Sequence, residues 1–396
     1  MSGETPQEPY IQQSSRNEVT SSPVPVKWAM LNKTAFFQMF DEMAAAPTMA
    51  AFRSAARALR ECIVQQEANC NGLFHCDDPL DTVTLRCDTL VRQLDQMIEA
   101  FTLERAHYYL HRLRMGLVDA RTSAINDINL RRWQEYDDVL TDSLWMIEHR
   151  DTSGSHLGWY WGNFVPQIPR QLMLRYTKHG EWVLDMFAGS GTTLIECRRL
   201  GRNGIGFELN EQVAQAAQGL IIREPNQHGV VSDLVVGDSR TADIGDVLAA
   251  HGQRTVQLII MHPPYHDIIP FSDDPRDLST APSPEAFLTM FGEAVENATM
   301  YLERGRFLAV VIGDKYSKGE WIPLGFSCMS EVMKRGYTLK SIVVKNFDST
   351  RGKRRREQLW RYRALAGGFY VFKHEYVLIF QKSQSTPVGS LPSRLP

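Results

Sequence analysis

No apolar run in this chain approaches the roughly 20 residues that a membrane-spanning helix needs, so a membrane protein is not expected. The first residues are polar and rich in Ser, Glu and Gln. They lack the charged-then-apolar layout of a secretory signal, which makes a cytoplasmic protein the default expectation. Cysteine is scarce: Cys62, Cys70, Cys76, Cys87, Cys197 and Cys328 are too few and too scattered for a disulfide framework. Cys70, His75, Cys76 and Cys87 lack the paired, close ligand spacing of a zinc module, so ordinary reduced cysteines and no metal are expected. A large excess of one charge is missing as well. The net charge of −3 argues against a protein that coats nucleic acid nonspecifically, while leaving room for a local basic face. No internal repeat or low-complexity tract interrupts the ordered part.

What is present suits one sizeable core and a second, smaller domain: 396 residues, 43% of them hydrophobic and 22% charged. Residues 1–26 carry Ser, Pro, Gln and Glu and read as a disordered tail, and 385–396 as a flexible one. Residues 27–149 read as an all-helical domain of four helices. Phe36, Phe37, Phe40 and Met43 recur at helical spacing, Pro47 separates that helix from Ala50–Ile63, and a third run covers 81–118. Leu90, Leu94, Met97, Ile98 and Phe101 mark its apolar stripe, and the fourth helix is placed at 129–148. The domain's His107–Arg114 segment mixes aromatic and basic residues, which fits either a DNA-clasping face or an amphipathic helix with a solvated basic side.

The organising stretch is Glu181-Trp-Val-Leu-Asp-Met-Phe-Ala-Gly-Ser-Gly-Thr-Thr193. Trp182–Leu184 is a short apolar strand ending at Asp185. Gly189 and Gly191 make a turn, and Thr192 and Thr193 open a helix that Gly201 stops. A second strand, 205–207, ends at Glu208. Strand, glycine turn, helix, strand and acidic end is how a doubly wound sheet holds a nucleoside cofactor: glycines allow close backbone approach, and the carboxylate takes ribose hydroxyls. Further strands are expected at 231–236 (leading to Asp238), 256–261, 306–312, 339–344 and 375–380, with helices at 287–302 and 322–335.

The Asp-Met-Phe-Ala-Gly-Ser-Gly-Thr-Thr run resembles the S-adenosylmethionine motif of the amino-group DNA methyltransferases, and His262-Pro263-Pro264-Tyr265 resembles their Asp/Asn/Ser-Pro-Pro-Tyr catalytic motif. The likeness covers about 150–383. It implies an α/β, Rossmann-like methyltransferase fold over 150–384, with a mostly parallel seven-stranded sheet and an antiparallel end. It implies S-adenosylmethionine as cofactor, met by Pro169 (a motif X likeness), Asp185, Phe187, Gly189, Gly191, Thr192, Thr193, Glu208 and Asp238. Asp238 would face the adenine amino group or, as a turn residue, cap the next helix. The expected reaction methylates adenine N6 or cytosine N4 of a flipped base in double-stranded DNA. The expected location is the cytoplasm, at the nucleoid while acting, and a cognate restriction or defence partner is left open. A structured-RNA methyltransferase of the tRNA type and an inactive nucleic-acid-binding relative are the alternatives.

The tetrad has a chemical logic. An exocyclic amine delocalises its lone pair into the ring, and accepting its N–H protons from two directions frees that pair. Two prolines hold their carbonyls rigidly outward, so one carbonyl can be one acceptor and residue 262 the other; Tyr265 offers a stacking face. Histidine departs from the family at 262: it accepts only when neutral, so activity is expected to fail as pH drops through ~6.5 if the ring is unperturbed. A serine-first tetrad leans toward cytosine and an aspartate-first one toward adenine; histidine leans neither way. The loop at 267–283 is expected to wall or lid the target pocket.

Between the last two strands, Arg351, Lys353, Arg354, Arg355, Arg356, Arg361 and Arg363 are interleaved with Trp360 and Tyr362, a pattern suited to phosphate contact and base stacking, with an exposed loop or targeting run as the plain alternative. No long insertion separates cofactor motif from tetrad, so recognition is expected to fall to the helical domain and this basic stretch. Replacing Arg354, Arg355 and Arg356 with alanine is expected to weaken DNA binding across all sequences and to flatten its salt dependence, with cofactor affinity unchanged. Binding isotherms at several salt concentrations measure that slope, and an unaltered slope would take the stretch off the DNA.

Overall fold

The computed structural model describes residues 28–66, 70, 72–347 and 357–384. Both expected tails and the centre of the basic stretch lie outside them. The chain divides into two compact units, Met1–Ala120 and Arg121–Pro396, rather than at 149/150.

The first unit is not all-helical. Strand β1 (Trp28–Asn32) alternates exposed Trp28 and Met30 with buried Ala29 and Leu31, and pairs antiparallel with β2 (Thr82–Arg86). Helix α1 (Lys33–Ala44) is capped by Asn32, and α2 (Met49–Gln65) by Thr48 just past Pro47. The expected run at 81–118 is β2 and then two helices, α3 (Cys87–Ile98) and α4 (Leu103–Val118). Thr102 accepts the Arg105 N–H and restarts the helix, so Phe101 sits in the turn and is 98% exposed instead of on the stripe. Phe36, Phe40, Phe52, Leu59, Leu94 and Leu110 fill the core. The basic residues of α4 are engaged within this unit: Arg105 lies over Tyr108 and Tyr109, Arg112 donates to Gln96, and Arg114 pairs with Asp41. That favours the amphipathic reading of His107–Arg114. Cys62 and Cys70 form a disulfide, which corrects the expectation of reduced thiols for this pair. The left-handed Gln66 at the end of α2 turns the chain back and brings the two Cα atoms to 5.8 Å.

In the second unit, an eight-stranded sheet carries helices. In chain order its elements are β3 (Leu144–Trp145), α5 (Gln167–Tyr176), β4 (Trp182–Asp185), α6 (Thr192–Leu200), β5 (Asn203–Glu208), α7 (Glu211–Arg223), β6 (Ser232–Val236) and α8 (Ile244–Ala250). Next come β7 (Val256–Met261), α9 (Pro284–Thr299), β8 (Leu302–Ile312), the hairpin β9 (Lys315–Ser317) and β10 (Glu320–Ile322), α10 (Leu324–Lys334), β11 (Thr338–Asn346), α11 (Glu357–Gly367) and β12 (His374–Gln381). The strand order is β3-β11-β12-β8-β7-β4-β5-β6. All neighbours run parallel except β12, which is antiparallel to both β8 and β11. This is the expected mostly parallel, Rossmann-like sheet with an antiparallel strand toward one end, and with one strand more than expected.

The additional strand comes from 129–148, where a helix was expected. Its apolar residues are spaced irregularly, and Trp145 is buried against Phe164, Ile168 and Leu172 while Leu144 is exposed. A short 3₁₀ turn at Trp133–Glu135 replaces helix, with the Leu140 N–H donating to Gln171 Oε1 and Gln171 Nε2 donating to the Asp138 carbonyl. The hairpin β9–β10 and helix α11, read as loop, were also not foreseen. Two residues on β5, Gly204 and Gly206, let α6 lie close: a Cβ at Gly204 would sit 2.7 Å from a Leu194 methyl. No helix among the described residues is long and apolar enough to cross a membrane.

Phe287 and Phe291 of α9 are fully buried in the larger core beside Leu308 and Val310. Phe291→Ala is expected to destabilise the second unit by about 3–5 kcal/mol, the cost of lost transfer energy plus a cavity. Urea denaturation monitored by a probe in this unit measures it, and a loss under about 1 kcal/mol would mean the site collapses without a void.

Candidate functional site

The strand order reverses between β4 and β7, and the loops leaving these strands diverge there. A cavity of about 1090 Å³ occupies the carboxyl ends of five parallel strands. Each strand contributes its outgoing loop to the wall: Met186–Ser190 after β4, Glu208 and Leu209 after β5, Gly237–Ser239 after β6, His262–Tyr265 after β7 and Gly313–Ser317 after β8.

On the β4 side, Gly189 and Gly191 have φ of +51° and +78°, the left-handed region that glycine enters without strain. A Cβ at Gly189 would lie 3.1 Å from the Tyr160 ring, whereas Gly191, expected to touch the cofactor, does not line the cavity and packs on α7, where a Cβ would lie 2.8 Å from Ile221. The Gly189 N–H donates to Glu208 Oε2 at 2.9 Å, and the Asn210 N–H to Oε1 at 2.9 Å, so one carboxylate ties the two turns together. Each oxygen keeps acceptor capacity on the cavity side. Burial raises the pKa of Glu208. Phe187 lines the same wall. This glycine-floored, carboxylate-edged surface fits a nucleoside with its ribose hydroxyls.

Several expected contact residues are set behind that wall. Asp185 is fully buried, accepts the Phe187 N–H at 3.0 Å and shapes the turn rather than facing the cavity. Burial lifts its pKa to about 6. Thr192 and Thr193 are buried at the start of α6, and Thr192 Oγ1 donates to Asn163 Oδ1 at 2.8 Å. Pro169 is buried in the first turns of α5 and does not line the cavity; Asn163, Phe164 and Val165, just upstream, do. Asp238 lines it, but its carboxylate also takes the Arg240 N–H and guanidinium, at 2.9 and 3.0 Å. The helix-capping reading is not borne out: Asp243 caps α8, accepting the Asp246 N–H, and Asp238 closes only its own turn at Arg240.

On the β7 side, His262, Pro263, Pro264 and Tyr265 all face the cavity. His262 packs on the Phe164 ring at 4.8 Å, and burial lowers its pKa to about 4, Lys345 adding to the shift and Glu375 opposing it. The ring is therefore neutral at physiological pH, which replaces the expected acid limb near the ordinary histidine value. Tyr265 donates its hydroxyl to Glu375 Oε2 at 2.8 Å, and Glu375 Oε1 is 3.0 Å from Lys345 Nζ. Gly313 leaves room for the tyrosine ring, since a Cβ there would lie 2.8 Å from it. Lys345 and Glu375 were missed in sequence; the available signal was a pair of opposite charges closing two apolar strands, β11 and β12, in register. The loop at 267–283 contributes Ile268, Phe271 and Asp277 to the wall, while Asp277 also caps Ser279 and Asp267 pairs with Lys315. Of the basic stretch, Trp360 of α11 lines the cavity with Arg363 stacked on it at 5.3 Å, and Arg361 is exposed. Arg351, Lys353, Arg354, Arg355 and Arg356 lie outside the described residues.

Comparison with known proteins agrees with this geometry. The N6/N4 methyltransferase family model, described as DNA methylase, matches residues 90–219, which include the glycine turn and Glu208 but end before the tetrad. Type II methyltransferase M.MjaII of Methanocaldococcus jannaschii is 39% identical over 51 residues, 13% of this chain and 10% of that protein. M.SmaI of Serratia marcescens is 37% identical over 81 residues (20% and 26%). M.HindIII of Haemophilus influenzae is 33% identical over 115 residues (28% and 35%). The chain thus spans about a tenth to a third of the length of these relatives.

Because the native Asp185 carboxyl holds its proton to about pH 6, above its ordinary value of 3.8, it favours folding at low pH, and this contribution is lost as pH rises between those values. Asp185→Asn, which keeps an acceptor for the Phe187 N–H, is expected to remove a pH-dependent loss of about 3 kcal/mol between about pH 3.5 and pH 7. Denaturant titrations of both proteins across that range measure the difference; parallel stability curves would refute the assignment.

Proposed function

We propose that the chain is an amino-group DNA methyltransferase and that it methylates an exocyclic amine, adenine N6 or cytosine N4, of a base flipped out of duplex DNA; the family-model match and the similar type II methyltransferases support this reading. The observation that carries this is the meeting, in one cavity, of the glycine-floored nucleoside surface and the His-Pro-Pro-Tyr turn. S-adenosylmethionine, the cofactor, supplies a methyl group made electrophilic by its sulfonium. Glu208 would accept its ribose hydroxyls, Asp238 its adenine amine, and Phe187 would cover the base.

The tetrad acts on the other reactant. Tyr265 stacks on the flipped base, the Pro263 carbonyl accepts one amine proton, and neutral His262 accepts the other, which localises the nitrogen lone pair. After transfer the nitrogen is cationic and strongly acidic, so even an imidazole of lowered basicity can take its proton. Trp360 and the arginines around it would hold the displaced strand by stacking and phosphate contact. The same reading makes duplex DNA the partner and the cytoplasmic nucleoid the place of action, with a restriction enzyme as a cognate partner to be sought.

Incubation with methyl-labelled cofactor and either duplex DNA or structured RNA, then nucleoside digestion, identifies the substrate and the modified base; label in RNA alone would overturn the DNA reading. His262→Ala is expected to lower single-turnover methylation about 10²-fold or more while leaving cofactor binding intact. The wild-type rate should hold from pH 8 down to about pH 5 as far as His262 is concerned, and be lost only as pH falls through about 4, where the ring protonates. An alanine variant with the wild-type rate would remove His262 from the chemistry.

A further inference from the structure

Tyr265 has one hydroxyl proton and two neighbours for its oxygen: Glu375 Oε2 at 2.8 Å and His262 Nε2 at 3.2 Å. A carboxylate can only accept, so the proton goes to Glu375, in a charge-assisted bond stronger than one to a neutral ring. The tyrosine oxygen is then left to accept, and the atom that can donate to it is His262 Nε2. That nitrogen must carry the ring's single proton. Nδ1 is bare. The opposite tautomer would need the hydroxyl to turn from Glu375 to Nε2, leaving a nearly buried carboxylate short of a donor. The chain is braced at both ends. Lys345 Nζ holds Glu375 Oε1 at 3.0 Å from the neighbouring strand, and the Phe164 ring packs on the imidazole at 4.8 Å.

We propose that Glu375, acting through the Tyr265 hydroxyl, is a positioning residue that sets the tautomer of His262 and presents Nδ1 as the acceptor for the target amine's proton. This rests on the methyltransferase reading of the site. In the proton step, the N–H bond of the methylated amine breaks with its electron pair staying on nitrogen. The Nδ1–H bond forms, and the imidazolium returns the proton to solvent between turnovers. The arrangement lets a histidine stand where the family uses an oxygen acceptor, because a neutral imidazole offers an acceptor at only one nitrogen and something must choose which.

The test uses the full chain with ¹⁵N-labelled histidine near neutral pH, the His262 resonances being assigned by their loss in His262→Asn. The wild type is expected to show protonated Nε2 and bare Nδ1. Tyr265→Phe keeps the stacking face but cuts the link. It is expected to lose that preference and to slow single-turnover methylation roughly 10–100-fold, the scale of a lost orienting partner, with cofactor affinity unchanged. Glu375→Ala should behave like Tyr265→Phe. Glu375→Gln, whose amide oxygen still accepts from the hydroxyl, should retain the wild-type tautomer and most of the rate. Should Glu375→Ala fail to fold with Lys345 left unpaired, the Tyr265→Phe spectrum decides alone. A wild type protonated on Nδ1, or a Tyr265→Phe protein with unchanged tautomer and rate, overturns the proposal. Tautomer shifts as described in a protein that methylates nothing would instead fell the functional reading and leave the hold of Glu375 on His262 standing.

Discussion

Strand β4 is hydrogen-bonded in parallel on both sides, to β5 and to β7, and everything functional hangs on that arrangement. The chain leaves β4 toward β5 and β6, then returns to place β7 on the other flank. Connections over opposite faces cannot cross the gap above β4, so a cleft opens at the carboxyl ends. The sharp turn out of β4 must stay low for the cleft to remain open. Two glycines with positive φ accomplish this, and Glu208 ties the turn to the tip of β5 through backbone N–H groups.

One physical cause, desolvation, acts with opposite sign on the two sides of the cleft. It raises the pKa of Asp185 and Glu208 and lowers that of His262, in each case favouring the uncharged form. The consequences diverge because the partners do. Glu208 takes two backbone donors that favour its charged form, whereas Asp185 takes the Phe187 N–H and sits deeper. His262 is left with a phenol as its polar partner. Neutrality, a defect in an ion pair, is what a hydrogen-bond acceptor needs. Buried Lys345 and Glu375 persist as a pair because each faces the other across adjacent strands.

The sheet from β4 to β8 was legible because its strands are short apolar runs between glycine or acidic punctuation, and the tetrad was legible because Pro-Pro admits few backbone shapes. The two-sided wall of Glu208 and His262 came out of that. Asp185, Thr192, Thr193 and Pro169 were recognised as belonging to the site, but not that they stand behind its surface; spacing along a chain does not tell a residue that touches a ligand from one that shapes the turn touching it. Lys345, Glu375 and Asn163 were missed because their partners are far away in sequence. In the first unit, β1 and β2 are five residues each, and an alternating run that short beside strong helical periodicity reads as part of the helix.

The edge strand β3 carries a practical consequence. Val344 on β11 donates its N–H to Ser143, and Asn346 accepts the Ile147 N–H, so the segment before the glycine turn caps the outer rim of the sheet. A catalytic fragment cut at residue 150, where the motifs alone would put the start, would strip that cap. It would leave β11 with unmet backbone groups along an open border and Phe164 without Trp145, inviting strand-to-strand self-association. Expression of the second unit alone should begin at residue 121, where the compact unit itself begins.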